Sequence, residues 1–379
     1  MRIVWAVCVL VLAGCTAAPA GTVPKTPAAS TALSASPTAS GPGDEESSSD
    51  DSDATVLDVA VVGPDVAWAV GYAVPAEDEP SGGVILRMDR DGWRRVEMRL
   101  HERFPGAIYS VVSGVDAGGS DEVWAVGDIG DVDEDSRDVR LPFALRWDGQ
   151  RWRTFRPAQL PKVGALTDVA VDGSRAFLIG RRGEGERSVP VLVTWDGRRF
   201  GKRDLPRGGR FHAVDAGAGH VWIAGSSSSG RCVGARPAIW HSAGRGSAPV
   251  EMRLPVSGRG TLRHIWQNGP SDVWVVGERG AAGDCDEYGT GAPLILHWNG
   301  SSWKQVAPPK WKGSLYGVAA VGEDDVWAVG YEQDVTSEVT LLHYDGRRWK
   351  RKAGYTEGGR NTFGLARVNA DLLLAAGSR

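Results

Sequence analysis

The chain has 379 residues, 42% of them hydrophobic, and a formal net charge of −4. That charge is unevenly spread: residues 1–54 hold two cations, Arg2 and Lys25, against six acids, while residues 55–379 hold 41 side chains of each sign. A neutral domain lacks the basic footprint of a nucleic-acid binder, so no nucleic-acid partner is expected.

In chain order the first element reads as an address. Met1-Arg2 is a short basic start, residues 3–12 are apolar, and Ala13-Gly14 are small. The run is too short to span a bilayer comfortably and fits the core of a signal peptide, residues 1–14. Leu12-Ala13-Gly14-Cys15 resembles the lipobox of bacterial lipoproteins. The resemblance implies cleavage before Cys15, lipid (palmitate among the acyl chains) on that residue, and anchoring at the extracytoplasmic face of the cell membrane, with the bilayer as first partner. Two or three acyl chains anchor firmly at about 0.8 kcal/mol per buried CH₂. Residues 15–54 follow as a tether of Ala, Thr, Ser, Pro and Gly with an acidic end, Asp44 to Asp53. Such a composition buries too little apolar surface to offset its ordering entropy, and its charge extends it.

From residue 55 onward one phrase repeats seven times. It ends at Gly71, Gly127, Gly180, Gly225, Gly277, Gly330 and Gly377, a mean period of 51 residues. Val326-Trp-Ala-Val-Gly330 is the clearest copy. A period of this size, carried by short aromatic and β-branched runs, predicts a β-propeller of four-stranded antiparallel blades over 55–379. Asp91-Gly92, Asp148-Gly149, Asp196-Gly197, Asn299-Gly300 and Asp345-Gly346 predict tight hairpin turns between third and fourth strands. An aromatic follows each turn: Trp93, Trp152, Phe200, Trp303 and Trp349. These two aromatic columns are read as wedge filling between blades and kept out of any site. Blade four departs from the pattern at Trp240-His-Ser-Ala-Gly-Arg-Gly, and the seventh repeat supplies only two strands. The expected ring is therefore seven-bladed with a two-stranded last blade, the alternative being six blades with an appended hairpin. The stretch before Val56, being Ser- and acid-rich, is not expected to supply the missing pair.

These repeats, Asp-Val-Trp-Ala-Val-Gly followed by Trp-Asp-Gly-x-x-Trp, resemble those of bacterial secreted propellers, loosely grouped with galactose-oxidase, kelch and Asp-box propellers. The likeness covers nearly all of 55–379. It departs from the Asp-box, where another residue separates Asp from Gly, and it lacks the kelch glycine doublet. It implies fold and export rather than an activity.

Candidate ligand residues come from two places. The starts of the inner strands, at the channel mouth, are read as Leu57-Asp58, Tyr109-Ser110, Thr167-Asp168, His212-Ala213, Arg263-His264, Tyr316-Gly317 and Phe363-Gly364. Tyr109, Asp168, His212, Arg263, His264 and Tyr316 form a convergent polar set suited to a sugar or phosphate, or to acid–base work. Asp58 and Asp168 have a second reading, as acceptors for neighbouring backbone N–H groups. Cations also recur in the inter-blade loops, with Arg207, Arg210, Lys310 and Lys312 as candidates and Trp311 as a stacking surface. Asp131, Asp133 and Asp135 space carboxylates like a calcium loop but lack its glycine and distal glutamate, so no metal is assigned. No phosphate loop, dinucleotide fingerprint or nucleophile elbow is present, and no cofactor is expected. Cys232 and Cys285 sit seven and eight residues beyond their motif glycines in adjacent blades. In an oxidising compartment they are expected to pair as a disulfide. The reading is a monomeric, membrane-anchored module that binds an anionic envelope glycan or another envelope protein. A secreted carbohydrate-active hydrolase or lyase using the channel-mouth carboxylates is the rival.

Overall fold

The computed structural model describes residues 8–11, 54–63, 65–73, 82–98, 100, 104, 107, 109–132, 138–183, 188–203, 205, 208–228, 234–244, 247–280, 291–333, 339–352, 361–367 and 372–378. Six four-stranded antiparallel blades stand in a ring, each with its strands in sequence order from the inside outward. Their inner strands are Ala54–Gly63, Tyr109–Gly119, Gly164–Asp172, Gly209–Gly217, Gly260–Gly269 and Gly313–Gly322. The fold class is thus the propeller that the repeat predicts, and the number of complete blades is the six of the alternative.

The two-stranded seventh unit is also present, as the hairpin of Asn361–Arg367 and Leu372–Ser378. Its first strand packs on the inner strand of blade six at one side and that of blade one at the other. One expectation about this unit is corrected. Cys8–Val11 pairs antiparallel with Leu372–Ser378, Cys8 opposite Ala375 and Val11 opposite Leu372. The reasoning that excluded any earlier segment weighed only the Ser- and acid-rich tether. The apolar, β-branched run before it has the composition of a strand.

The repeat phrase is explained by three contacts. First, the acid two residues before the motif tryptophan fixes the indole. Asp272 Oδ1 accepts from Trp274 Nε1 at 2.9 Å, and His297 Nε2 on the third strand lies 2.8 Å away. Asp325 does the same for Trp327 with His343, and Glu122 for Trp124 with Arg146. Second, the motif indole packs into the next blade whether or not an acid holds it. Trp68 lies 5.2 and 5.1 Å from Trp147 and Trp152, and Trp222 lies 5.6 Å from both Trp298 and Trp303. Such aromatic pairs contribute roughly 0.5–1.5 kcal/mol beyond their area burial. Third, Asp148 Oδ1 accepts from the N–H groups of Gln150 and Arg151, closing its turn, and Asp196 and Asp345 repeat the arrangement. The turn glycines Gly149, Gly197 and Gly346 have φ of 90°, 97° and 81°, the region where a side chain is strained. The tryptophans are core, as expected: Trp68, Trp124, Trp222 and Trp274 are almost fully buried. Blade four has Ser242 where blade two has Trp147, each facing the first valine of its motif, Val221 and Val123. Trp240 lies two residues earlier and packs 4.4 Å from Phe211 instead.

Candidate functional site

Every inner strand changes register at the same place, between Val56/Asp58, Val112/Gly114, Leu166/Asp168, Phe211/Ala213, Leu262/His264, Leu315/Gly317 and Thr362/Gly364. The extra residues are Leu57, Ser113, Thr167, His212, Arg263, Tyr316 and Phe363. The motif glycine makes this bulge possible. A Cβ on Gly71 would collide with the carbonyl oxygen of Thr55, and Gly127, Gly180, Gly225, Gly277 and Gly330 face the same obstacle in their own blades. The sequence reading aligned blade two one turn too early. Its corresponding pair is Ser113-Gly114, while Tyr109 packs its ring across Gly130, 6.0 Å from the Arg140 guanidinium. Ser110 is buried and accepts from the N–H of Gly83.

Beyond the bulge, a side chain of each of the first five blades reaches the next blade's inner strand. Asp58 accepts from Val115 N at 2.9 Å, Asp168 from Val214 N at 2.8 Å, and His264 Nδ1 from Val318 N at 3.3 Å. Blades two and four place the acceptor further along the strand: Asp116 takes Val171 N and Asp215 takes Gln267 N, both at 2.6 Å. Asp58, Asp116 and Asp168 also accept from the following N–H with their other oxygen. Burial pushes Asp58 and Asp215 up to about 7 and Asp116 up to about 6, and raises Asp168 well above the usual carboxylate range, the charge of Asp58 adding to it. Burial also lowers His264 to about 4, so its neutral ring is an acceptor. Asp168 and His264 therefore leave the list of ligand candidates. Each is a bond between blades, which is the second reading offered for the aspartates.

Of the channel-mouth set, His212 keeps a place at an open site. A cleft of about 210 Å³ between blades three and four is lined by Thr167, Arg181, Ser188, Pro190, Arg210, Phe211 and His212, with the backbone of Gly180 and Gly209. Arg181 Nε is buried there without a hydrogen-bond partner among the described residues. Burial drives His212 down to about 3, helped by the positive charges of Arg263, Arg210 and Arg181. The imidazole is thus neutral at physiological pH and the field of the cleft is positive. A buried cationic donor beside the Ser188 hydroxyl suits an anionic oxygen ligand, while the Thr167 hydroxyl donates to the Phe211 carbonyl.

Arg181 and Thr167 were not among the sequence candidates. The signal was available: Arg181 directly follows a motif glycine, a position filled elsewhere by Tyr72, Asp128, Ser226, Glu278 and Tyr331. Between blades five and six that position is closed. Glu278 is buried and accepts from Arg263 at 2.9 Å, and the Arg263 guanidinium lies 5.9 Å from the Tyr316 ring. Arg263 and Tyr316 belong to this internal cluster. Trp311 is corrected as well: it is 9% exposed and packs among Trp274, Ile295 and Leu315, too buried to be a stacking surface. Lys310 and Lys312 beside it are exposed. Arg207, Cys15, Cys232, Cys285, Asp133 and Asp135 lie outside the described residues, as does the side chain of Asp131. Among the described residues no group of His, Cys, Asp or Glu is arranged to hold a metal ion.

No protein-family model matches the chain, and no curated protein matches its sequence. Solved structures do resemble it. YCF48, in a structure bound to D1 peptide, is 14% identical over 86% of this chain and 90% of its own, with a TM-score of 0.54. A protein of unknown function from Dyadobacter fermentans is 10% identical over 87% and 96%, at 0.53. A PL25 polysaccharide lyase, an ulvan lyase, is 11% identical over the same shares, at 0.50. At these identities the likeness establishes the propeller fold and nothing finer.

Proposed function

We propose that this chain is a ligand-binding propeller, held by its lipidated Cys15 at the extracytoplasmic face of a membrane, that takes an anionic group into the cleft between blades three and four. The observation that carries the reading is the buried Nε of Arg181, without a hydrogen-bond partner among the described residues, in a cleft shared with Arg210 and the neutral His212. The anchor rests on the likeness of Leu12-Ala-Gly-Cys15 to a lipobox; cleavage there would remove the Cys8–Val11 strand and leave the terminal hairpin two-stranded in the mature chain. The rival, carbohydrate cleavage by channel-mouth carboxylates, loses support because Asp58 and Asp168 spend both oxygens on backbone N–H groups. A peptide-bound neighbour and a neighbour that is a polysaccharide lyase are each compatible with a binding role for this fold.

A pull-down from envelope extract tests the reading, comparing wild type with Arg181→Glu and with Lys310→Glu/Lys312→Glu. Loss of the captured component in Arg181→Glu alone supports the cleft. Loss only in the lysine double variant moves the site to the loop between blades five and six. Fractionation of Cys15→Ser tests the anchor, which fails if a correctly cleaved variant stays with the membrane.

A further inference from the structure

Consecutive residues on a strand point to opposite faces of its sheet. On the second strand of blade three, Arg175–Arg182, Leu178 packs toward blade two and Ile179 toward blade four. By the same alternation Arg181 faces blade four and Arg182 faces the side of blade two. Arg182 lines a second cleft, of about 460 Å³, with Lys162, Lys202, Gln159, Leu160, Pro161, Val163, Val191 and the backbone of Gly183. Its three cations are exposed, and no acid lies on its wall among the described residues. Both clefts open at the same end of blade three, where the second strand ends and the inner strand begins. They are separated by the thickness of one sheet, on the order of 10 Å.

We propose that the two clefts are consecutive subsites for one linear acidic polysaccharide, which crosses the rim of blade three with one carboxylate beside Arg181 and another beside Lys162, Arg182 and Lys202. This rests on the binding reading above and names its ligand class. The clefts lie across strand ends, where the backbone is already paired within the blade. An extended peptide would draw its affinity from pairing along a free strand edge, which in blade three means Gly164–Asp172 at the channel or Phe200–Arg203 at the outside. A glycan bearing carboxylates and hydroxyls would instead use the side-chain donors that are present, the cations with Ser188 and Gln159. Two linked sites raise the effective concentration of the second group, so affinity grows with chain length once the spacing is spanned.

The test titrates the full chain by calorimetry with oligogalacturonates of one to six residues. Wild type, Arg181→Ala and Lys162→Ala/Lys202→Ala are compared, with matched melting curves confirming the fold; the lysines are exposed, so their loss leaves the core untouched. Expected are at least a tenfold gain in affinity between monomer and hexamer, loss of that gain in the lysine variant with monomer binding retained, and weaker monomer binding in Arg181→Ala. A length gain that survives in the lysine variant overturns the second subsite. Monomer binding with no length gain overturns the polymer and leaves the anion cleft standing. Oligoglutamate and linear polyphosphate of similar length serve as parallel ligands. If either binds while every uronate fails, the polysaccharide is overturned and the binding reading survives. If none of the three binds, both fall.

Discussion

The seam between blades three and four and the seam between blades five and six are built on the same register but use it in opposite ways. In the first, the residue after the motif glycine is Arg181, and its Nε faces a cleft with no partner among the described residues. In the second it is Glu278, almost fully buried, with Arg263 completing an internal ion pair. One seam leaves its charge facing a cleft and the other neutralises it from within. In a repeated architecture, then, individuality resides in single positions that the repeat does not constrain. The bulge and its glycine recur from blade to blade, and the next residue decides what happens at the seam.

The closed seam should be the more fragile one to substitution. Arg263→Ala leaves the Glu278 carboxylate buried and unpaired, a change expected to cost about 3–5 kcal/mol, read as a lowered midpoint in urea unfolding. A loss below about 1 kcal/mol would mean that water reaches Glu278. Next in size, Asp168→Ala strips acceptors from the N–H groups of Val169 and Val214 and should cost about 1–3 kcal/mol, without the loss of ligand binding that a site residue would show.

A third effect is on pH dependence. Asp58 and Asp215 hold a proton to about pH 7 in the folded ring, against an unfolded value of 3.8. Between those values the folded state binds more protons than the unfolded one, so these groups make stability fall as pH rises from about 4 to 7. The turn aspartates Asp148, Asp196 and Asp345 are held below their ordinary value, chiefly by backbone N–H groups at the first two and by Lys350 at Asp345. Their contribution disappears as pH drops below about 4. Melting temperature should therefore be higher at pH 5 than at pH 7.5, and Asp215→Asn should flatten that difference. Smallest of all for stability is Arg181→Ala, expected within about 0.5 kcal/mol of wild type while binding of an anionic ligand drops at least tenfold. A variant that both binds normally and melts normally would remove the contrast between the two seams.

Most of the architecture is legible in the sequence because its causes are local. The Asp-Gly turns, the indole two residues after an acid and the glycine that clears a carbonyl are all requirements of short segments. The bulge is less legible, since it depends on the register between strands. Blade two opens with two strands of eleven residues, so counting from the strand start put Tyr109 where Ser113 belongs. The reach of Asp58 to Val115 spans 57 residues and leaves no pattern in either segment. Arg181 was legible as an odd residue after a motif glycine, but only the cleft beside it gives that oddity a meaning.

The acceptors that reach from the far side of one bulge to the next inner strand all point the same way around the ring and, among the described residues, stop at His264. Beyond it Gly317 faces Leu365 and the bulge of the terminal hairpin ends at Gly364; neither glycine has a side chain to offer as an acceptor. The seams on either side of that hairpin therefore lack this bond among the described residues and should resist separation less. Spontaneous opening should begin there, and amide hydrogens of Asn361–Arg367 should exchange with deuterated water sooner than those of the inner strands of blades two to four. A propeller fastened in this way would breathe at one place and stay rigid around the cleft on its far side.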